Sequence, residues 1–437
     1  MWRQHTWDKV RAEHQHYRRR QPEKSELYRI VNHGRDRLPL VWEERFQQQY
    51  GALRKEVLAT FDAYLNCGLL CHGAARVYCD NCKHSYLVAY SCKKRGVCPS
   101  CAAKRAVKFA EHLYDEVLEK VPHRHVVFSI PKRIRAYLRY DRKLNDILFR
   151  AAWRSIQECF SGAPGEPGAV LTLQTAGEAL NHNPHLHGML TDGLVMPVAD
   201  PELGRRDGTF MHFAEPDCEK LTLSFSDRVL SQLHKKELIS DETVSQILSQ
   251  QHTGFSVWVG QPFEDSESEH FVARYIERGP VSLEKLSVDD DIITYTTKEG
   301  TAHEFDALEF LAQLSCQVPR PYESLTRYYG HYSCRARGKR NKHAKRSAAI
   351  DEAAVDEKPA KPSSSWAACI KRIYEINPLQ CPRCKSEMRI IAFLQDTREI
   401  NKLMESLGIE KYRSPPPIPD YSSHDESLFQ DFIPDYD

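Results

Sequence analysis

Hydrophobic residues recur along this chain with two different periods, and each period predicts a type of secondary structure. A spacing of three to four residues indicates amphipathic helices, whereas runs or alternation of β-branched and aromatic residues indicate strands. Residues 169–177 and 185–196, two strands joined by a short polar connection, are expected to pair antiparallel. The other predicted strands cover residues 125–130 and 292–297. Helical spacing covers residues 41–66, 104–121, 142–160, 219–251 and 304–314.

A further helix is expected to begin near residue 266. Ser266 and Glu269 have the spacing of a capping box, in which each side chain satisfies a backbone N–H of the first turn. Gly279 and Pro280 are residue types that commonly end a helix. The pattern therefore predicts a helix of about three turns between these signals.

The chain is long enough for several structural units, and its charge is unevenly distributed. With 437 residues it exceeds the usual size of one hydrophobic core. The formal net charge is only +1, yet residues 327–346 hold eight Lys or Arg and no acid. Residues 420–437 hold six acids and no base. This asymmetry indicates either a polyanion-binding surface beside an acidic tail or two solvated segments.

The sequence contains no pattern for export or for membrane insertion. No stretch is apolar over the roughly 20 residues that a membrane span requires, and the first 20 residues lack an apolar signal region. We therefore expect a cytoplasmic protein without a membrane partner. In a reducing cytosol, 14 cysteines indicate metal binding rather than disulfide bonds.

Seven of the cysteines fall within residues 67–101. Two short pairs, Cys79-x-x-Cys82 and Cys98-x-x-Cys101, have a spacing that lets four thiolates meet around one tetrahedral zinc ion. Four thiolates complete the coordination shell, so this Zn²⁺ is expected to be structural. The other cysteines of the stretch, Cys67, Cys71 and Cys92, are expected to be reduced core residues, the alternative being that one of them replaces a ligand of these pairs or builds a second site.

A second cysteine pair, Cys381-x-x-Cys384, lies near the C-terminus. Cys369 and His424 are weak candidates for its partners, and another segment could complete the coordination. The pair is either part of a second zinc site or a tight turn with two free thiols.

Two histidines one residue apart begin the predicted strand at 185–196. Because successive side chains on a strand alternate between faces, His185 and His187 share one face while Leu186 points to the core. Two imidazoles on one face can hold a divalent ion, or can be polar residues on the wet side of an ordinary strand. In the expected hairpin, Gln174 lies opposite His185 and could supply a third ligand, with His182 as its competitor.

These motifs resemble, in order, those of one protein family. His185-Leu186-His187 matches the histidine–hydrophobic–histidine (HUH) motif of single-strand endonucleases, a group that includes replication initiators, relaxases and certain transposases. The surrounding sequence resembles the insertion sequence 91 family of bacterial transposases over most of residues 40–417. The similar segments are "SCKKRGVCPSC" (zinc-binding region), "QTAGEALNHNPHLHGMLTDG" (metal-binding core), "FVARYIERGPVS" (tyrosine helix) and "CPRCKSEMRIIAFL" (C-terminal knuckle).

The resemblance implies a tyrosine nuclease that transfers DNA strands. A tyrosine hydroxyl would attack a phosphodiester and leave a 5′-phosphotyrosine, while Mg²⁺ or Mn²⁺ held by the histidines polarises the phosphate. The family has two tyrosines four residues apart; here the second is Tyr275 and Phe271 replaces the first. Tyr275 is therefore the expected nucleophile of a single-tyrosine variant. Without the resemblance, both residues would be assigned to the buried stripe of an amphipathic helix.

A tyrosine-rich basic segment follows this helix in sequence. Tyr322, Tyr328, Tyr329 and Tyr332 are rival nucleophiles, but we interpret them as rings that stack on unpaired bases, or as half-buried structural residues. The residues expected to contact DNA are Lys93, Lys94, Arg95, Arg327, Arg335, Arg337, Lys339 and Arg340.

We expect an α+β fold in which an HUH-type antiparallel sheet packs on helices. A helical segment and a zinc ribbon precede the sheet, and a small zinc-knuckle module follows it. The expected units are an N-terminal helical segment (1–55), a zinc-binding domain (56–118), the HUH domain (119–340), a basic linker (341–365), the knuckle module (366–410) and a disordered acidic tail (411–437).

The leading hypothesis is a DNA transposase that moves an insertion sequence by a rolling-circle route on single-stranded element ends and target. The four-cysteine module favours it over a plasmid replication initiator or relaxase, which usually lack such a module. Phe271 leaves open a zinc-dependent DNA-binding regulator whose catalytic domain has decayed. A metal hydrolase that uses only the histidine pair is the remaining alternative.

Overall fold

The computed structural model describes residues 21–196, 210–212, 216–263, 265–289, 292–340, 342 and 379–410. Cys369, His424, the expected acidic tail and most of the expected linker lie outside these residues. Helices and antiparallel sheets are mixed in the described chain, which confirms the expected α+β class. None of the described helices combines the length and the apolar composition that a bilayer crossing needs.

The strands and helices are numbered here in chain order. The strands are β1 (Ala74–Tyr78), β2 (Ser85–Ala89), β3 (His123–Ser129), β4 (Gly168–Ala176), β5 (His182–Thr191), β6 (Gly193–Val195), β7 (Phe210–His212), β8 (Ser256–Pro262), β9 (Leu286–Asp289), β10 (Ile292–Thr296), β11 (Ala302–Phe305), β12 (Thr326–Gly330) and β13 (Arg389–Leu394). The helices are α1 (Glu26–Gly34), α2 (Leu38–Arg45), α3 (Gln47–Tyr50), α4 (Lys55–Leu65), α5 (Pro99–His112), α6 (Lys132–Tyr140), α7 (Asn145–Cys159), α8 (Cys218–Lys235), α9 (Asp241–Leu248), α10 (Ser266–Ile276), α11 (Ala307–Ser315) and α12 (Thr397–Ser406).

The largest sheet of the described residues is antiparallel, with the strand order β12-β4-β5-β3-β8. The expected hairpin is confirmed, because β4 pairs with β5 and Gln174 lies opposite His185. One face of the sheet packs against α6 to α9 through side chains such as Phe128, Leu186 and Phe225. The other face carries α5 and α10, with Val170 and Met189 of the sheet buried beneath them. The sheet is therefore a middle layer between two layers of helices.

The N-terminal helices share a second core with a later part of the chain. Helices α1, α2, α4 and α11 pack together with the sheet β9-β10-β11. Cys67, Cys98 and Cys101 are buried in the same core. The cysteine-rich region thus rests on residues that lie about 200 positions downstream.

A third sheet joins the cysteine-rich region to the C-terminal segment. The hairpin β1–β2 is extended by β13, so the order is β13-β1-β2. Ile400 and Met404 of α12 are buried against Leu70, Ala74 and Leu87 beside this hairpin. Segments that lie about 300 residues apart in the sequence therefore form one small folded unit.

Two helix predictions need correction. The helix expected over 41–66 is interrupted, because Gly51 has a φ of +76°, outside the helical range, and its carbonyl accepts a hydrogen bond from Trp42 (2.8 Å). The helix expected near residue 266 exists, but its cap is Asp265, whose carboxylate accepts the backbone N–H of Ser268 (2.7 Å). Glu269 contacts His123 instead of closing a capping box.

Gly330 at the end of β12 is a site where the fold has no room for a side chain. It has a φ of +55°, and an added Cβ would lie 1.9 Å from the carbonyl oxygen of Pro167. We expect Gly330→Ala to lower the free energy of unfolding by about 2–4 kcal/mol through strain and overlap. Gly338→Ala is the matched control, since nothing lies within 4 Å of its added Cβ. Equal denaturation midpoints of the two variants would contradict this explanation.

Candidate active site

The histidine pair on β5 has the geometry expected from the strand alternation. The rings of His185 and His187 have centroids 4.8 Å apart, and Leu186 between them is fully buried on the opposite face. Nδ1 of His185 lies 2.7 Å from the carbonyl oxygen of Asn183 and donates its proton there. Nε2 of His185 is therefore the nitrogen whose lone pair remains for a ligand.

A third histidine, His125 on β3, belongs to this cluster and was missed in the sequence. Its Nε2 lies 3.0 Å from Nδ1 of His187, and the two rings stack with centroids 5.2 Å apart. Burial lowers the pKa of His125 to about 4 and that of His187 to about 2, so both rings are neutral near pH 7. Neutral His125 can accept the Nδ1 proton of His187, which orients Nε2 of His187 as a second ligand atom. The available signal was the spacing of His123 and His125, although the predicted strand began only at His125.

Tyr275 lies against this histidine cluster. Its ring centroid is 5.3 Å from that of His187 and 6.2 Å from that of His125. The ring is half-buried, whereas Phe271 is 65% exposed. The residues of α10 that are buried are Ala273 and Ile276. The alternative of a buried stripe that includes Phe271 and Tyr275 is therefore wrong.

Two arginines flank Tyr275 in the sequence. Arg274 and Arg278 are both exposed. The guanidinium carbon of Arg278 lies 4.3 Å from the centre of the Tyr275 ring, a cation–π contact. A positive charge therefore stands beside the phenol.

Gln174 connects the tyrosine helix to the sheet. Its side-chain amide donates hydrogen bonds to the carbonyl oxygens of Tyr275 (3.1 Å) and Ile276 (2.9 Å). These carbonyls lie in the last turn of α10, and that of Tyr275 also accepts the backbone N–H of Arg278 (3.3 Å). The side-chain nitrogen of Gln174 therefore positions the helix. If Gln174 is also a metal ligand, as expected, the ligand atom is its side-chain oxygen.

The first turn of the same helix is held by a buried polar chain. Nδ1 of His123 lies 2.7 Å from a carboxylate oxygen of Glu269, and Nε2 lies 2.6 Å from the hydroxyl of Tyr332. His123 and Tyr332 are fully buried and Glu269 is largely so. Helix α10 is therefore fixed to β3 at its beginning and to β4 at its end.

The rival candidates for the third metal ligand and for the nucleophile have other surroundings in the structure. His182 lines a small cavity with Trp42, Arg139 and Cys316. Tyr332 is in the core, so its expected stacking on bases is wrong, and the ring of Tyr329 is already stacked on Trp153 at 5.2 Å.

The residues expected to contact DNA differ in their surroundings. Arg95 donates to the carbonyl of Glu323, Arg327 pairs with Asp146, and Arg340 donates to the carbonyl of His331. The guanidinium of Arg337 lies 5.0 Å from the ring centre of Tyr328. The exposed members of the set are Lys93, Lys94, Arg335 and Lys339.

The structure does not bring together the four cysteines expected to bind one zinc ion. In the described residues, Cys98 and Cys101 cluster with Cys67 and Cys92, and Cys79 and Cys82 cluster with Cys381 and Cys384. Cys79 and Cys82 lie beyond the tip of the β1–β2 hairpin, whereas the other pair lies near its base. Each five-residue strand spans about 16 Å, which separates the two ends too far for one ion. Cys67 and Cys92 are thus ligand candidates rather than spare core residues.

The first cluster fits a structural zinc ion. The Sγ of Cys67 lies 3.7 Å from that of Cys98 and 3.8 Å from that of Cys101, and Cys92 lies 3.6 Å from Cys101. Tetrahedral zinc–thiolate bonds of about 2.3 Å place sulfurs about 3.8 Å apart. The residue types and the spacing therefore agree with this metal.

Comparison with known proteins identifies two matching family models. A transposase zinc-binding domain of the insertion sequence 91 type matches residues 40–130. A model described as "Putative transposase" matches residues 168–340. The two matches together contain the first cysteine cluster, the histidine pair and Tyr275. No solved structure matches this chain.

Two curated proteins are similar to parts of the chain. "Putative transposase y4qJ" of Sinorhizobium fredii is 28% identical over 173 residues, which are 38% of this chain and 43% of that protein. "Transposase for insertion sequence element IS801" of Pseudomonas savastanoi pv. phaseolicola is 30% identical over 145 residues, or 33% of this chain and 35% of that protein. The matched regions thus span less than half of either relative. With both family models in their expected order, the chain belongs to the insertion sequence 91 family of transposases and carries that family's N-terminal zinc-binding domain.

Proposed function

We propose that this protein is a transposase that cuts and rejoins single-stranded DNA through a covalent 5′-phosphotyrosine at Tyr275. The observation that carries the proposal is the position of the Tyr275 ring, 5.3 Å from that of His187 on a helix fixed at both ends. Family membership supports a DNA transposase in general terms. The specific chemistry is argued from the side chains of the site.

The first step is an attack of the Tyr275 hydroxyl oxygen on a phosphorus atom of the DNA backbone. The tyrosine–phosphorus bond forms, the bond to the 3′ oxygen breaks, and the phenolic proton leaves while the 3′ oxygen gains one. The product keeps the energy of a phosphodiester. A different 3′-hydroxyl can therefore attack the phosphotyrosine, reform a DNA strand and release Tyr275 without ATP.

The protein's own groups have separate tasks in this scheme. His185 and His187 would hold Mg²⁺ or Mn²⁺ through Nε2, and the ion would polarise a phosphate oxygen. His125 holds the ring of His187, and Gln174 holds the end of the tyrosine helix. Arg278 places a positive charge beside the phenol, where the phosphate must approach.

An exposed aromatic ring beside the site supports a single-stranded substrate. Trp258 on β8 is 53% exposed and contacts His125 edge-on, with ring centroids 5.4 Å apart. Such a ring can stack on an unpaired base, but paired bases in a duplex are already stacked. Because Trp258 lies beside the site, it would hold a base close to the reacting phosphate.

The absence of a hydroxyl at residue 271 limits the scheme to one covalent link per chain through this helix. Phe271 is exposed and lies one helical turn before Tyr275. This substitution also favours the second candidate function, a DNA-binding regulator without cleavage activity.

Replacement of the nucleophile distinguishes these two functions. We expect Tyr275→Phe to reduce covalent adduct formation and cleavage by at least about 100-fold, because the attacking oxygen is removed. DNA affinity should change by less than about twofold. The assay uses single-stranded DNA that carries the ends of the protein's own element, labelled at its 3′ end, with the adduct mapped by mass spectrometry. Tyr140→Phe, a change at an exposed tyrosine of α6, is the control. Equal adduct yields in wild type and Tyr275→Phe would exclude this nucleophile, and no adduct in either would favour the regulator.

Removal of a metal-holding imidazole should abolish Mn²⁺ binding and Mn²⁺-dependent cleavage together. We expect His187→Ala to lower the Mn²⁺-dependent cleavage rate by about 100-fold or more and to remove Mn²⁺ binding measured by calorimetry on zinc-loaded protein. His252→Ala, a change at an exposed loop residue, should leave both quantities unaltered. If the His187 variant binds and uses Mn²⁺ like the wild type, the ion is held elsewhere.

A further inference from the structure

We propose that Cys79, Cys82, Cys381 and Cys384 bind a second structural zinc ion, which fastens the C-terminal segment to the zinc-binding domain. The Sγ atoms of Cys79 and Cys384 are 3.5 Å apart, and those of Cys82 and Cys381 are 3.4 Å apart. All four sulfurs lie within 4.8 Å of one another. This site is independent of the proposed DNA chemistry.

The two cysteine pairs have the same backbone conformation, although about 300 residues separate them. The N–H of Cys79 donates to the carbonyl of His84 (2.8 Å), and the N–H of Cys381 donates to that of Ser386 (2.8 Å). The N–H groups of Lys83 and Lys385 donate to the carbonyls of Cys79 and Cys381 (3.0 and 2.9 Å). The two turns are therefore equivalent knuckles that present their thiols to each other.

The shared turn includes an unfavourable backbone conformation in each copy. Lys83 and Lys385, the residues that follow the second cysteine of each pair, have φ values of +62° and +64°. A non-glycine residue in the left-handed region costs conformational free energy. The left-handed conformation occurs at the same position of both turns, which indicates that both turns must meet the same structural demand. Directing four sulfur atoms toward one metal ion is such a demand.

Other contacts bring the knuckles together without the ion. The guanidinium of Arg389 contacts the carboxylate of Asp80 at 2.6 and 3.0 Å, and Asn81 donates to Ser386 (3.1 Å). The pairing of β13 with β1 continues directly from the second knuckle. The sulfur positions are thus built into the fold rather than produced by a chance approach of mobile side chains.

The C-terminal segment has too small a hydrophobic core to be stable by itself, and a metal ion would supply the missing stabilisation. Residues 379–410 bury only a few side chains, among them Met388, Ile400 and Met404. Units of this size rarely hold their fold through a hydrophobic core alone and commonly need a metal or disulfides. Disulfides do not fit, because the sulfur separations far exceed the bonded length of about 2.05 Å.

The proposal extends the zinc-binding domain beyond the family match. That match ends at residue 130, and the "Putative transposase" match ends at residue 340, so neither includes Cys381 and Cys384. A four-thiolate set selects zinc or iron among the common metals. Zinc is assigned because the other thiolate cluster belongs to a zinc-binding family domain.

The test is the zinc content of the full-length protein, measured by plasma mass spectrometry after purification from zinc-supplemented cells. We expect two zinc ions per chain in the wild type. The double variant Cys381→Ser/Cys384→Ser should retain one, and so should Cys79→Ser/Cys82→Ser. The quadruple variant should also retain one, because both pairs hold the same ion. Cys334→Ser, a change at an exposed cysteine, should retain two.

The retained ion at the first cluster reports that each variant has folded. Two zinc ions in the Cys381/Cys384 variant, iron in place of zinc, or one zinc ion in the wild type would overturn the proposal. Loss of both ions from the quadruple variant, with one retained in each double variant, would also overturn it, because the pairs would then hold different ions. A second readout is trypsin digestion with and without a zinc chelator. In the samples without chelator, the release of residues 379–410 should be at least about 10-fold faster in the Cys381→Ser/Cys384→Ser variant than in the wild type.

Discussion

Two hydrogen bonds from one amide group determine where the candidate nucleophile lies. Gln174 donates to the carbonyls that end the tyrosine helix, and the register of β4 with β5 places Gln174 opposite His185. A shift of that register by one residue would place Gln174 and the histidines on opposite faces of the sheet. The hairpin pairing therefore positions the imidazoles and the phenol together, and the site depends on strand register more than on any loop.

The beginning of the tyrosine helix is positioned by a different kind of contact. His123, Glu269 and Tyr332 form a polar chain within a hydrophobic layer: Nε2 of His123 shares a hydrogen bond with the Tyr332 hydroxyl, and its Nδ1 lies 2.7 Å from the Glu269 carboxylate. With both helix ends attached to the sheet, the phenol has little freedom to move away from His187. Rigid placement of reacting groups is itself a large part of catalytic rate enhancement.

Features formed by neighbouring segments could be predicted from the sequence, and features formed by distant segments could not. The β4–β5 hairpin and the shared face of His185 and His187 follow from alternation within about 30 residues. The grouping of the cysteines was predicted wrongly, since spacing alone favours the nearest pairs, whereas the tertiary fold places Cys79 beside Cys384. His125 belonged to a correctly predicted strand, but the pairing of that strand with β5 is a contact between segments far apart in the sequence. The interruption at Gly51 arises from a backbone angle that a hydrophobic pattern does not reveal.

The strand order β13-β1-β2 has a consequence for the order of events during synthesis. The β1–β2 hairpin leaves the ribosome about 300 residues before its outer partner, which corresponds to roughly 15–60 s at 5–20 residues per second. During that interval one edge of the hairpin has no partner strand, and unpaired edges are where other chains can add. A nascent chain must therefore keep this edge shielded until β13 has been translated.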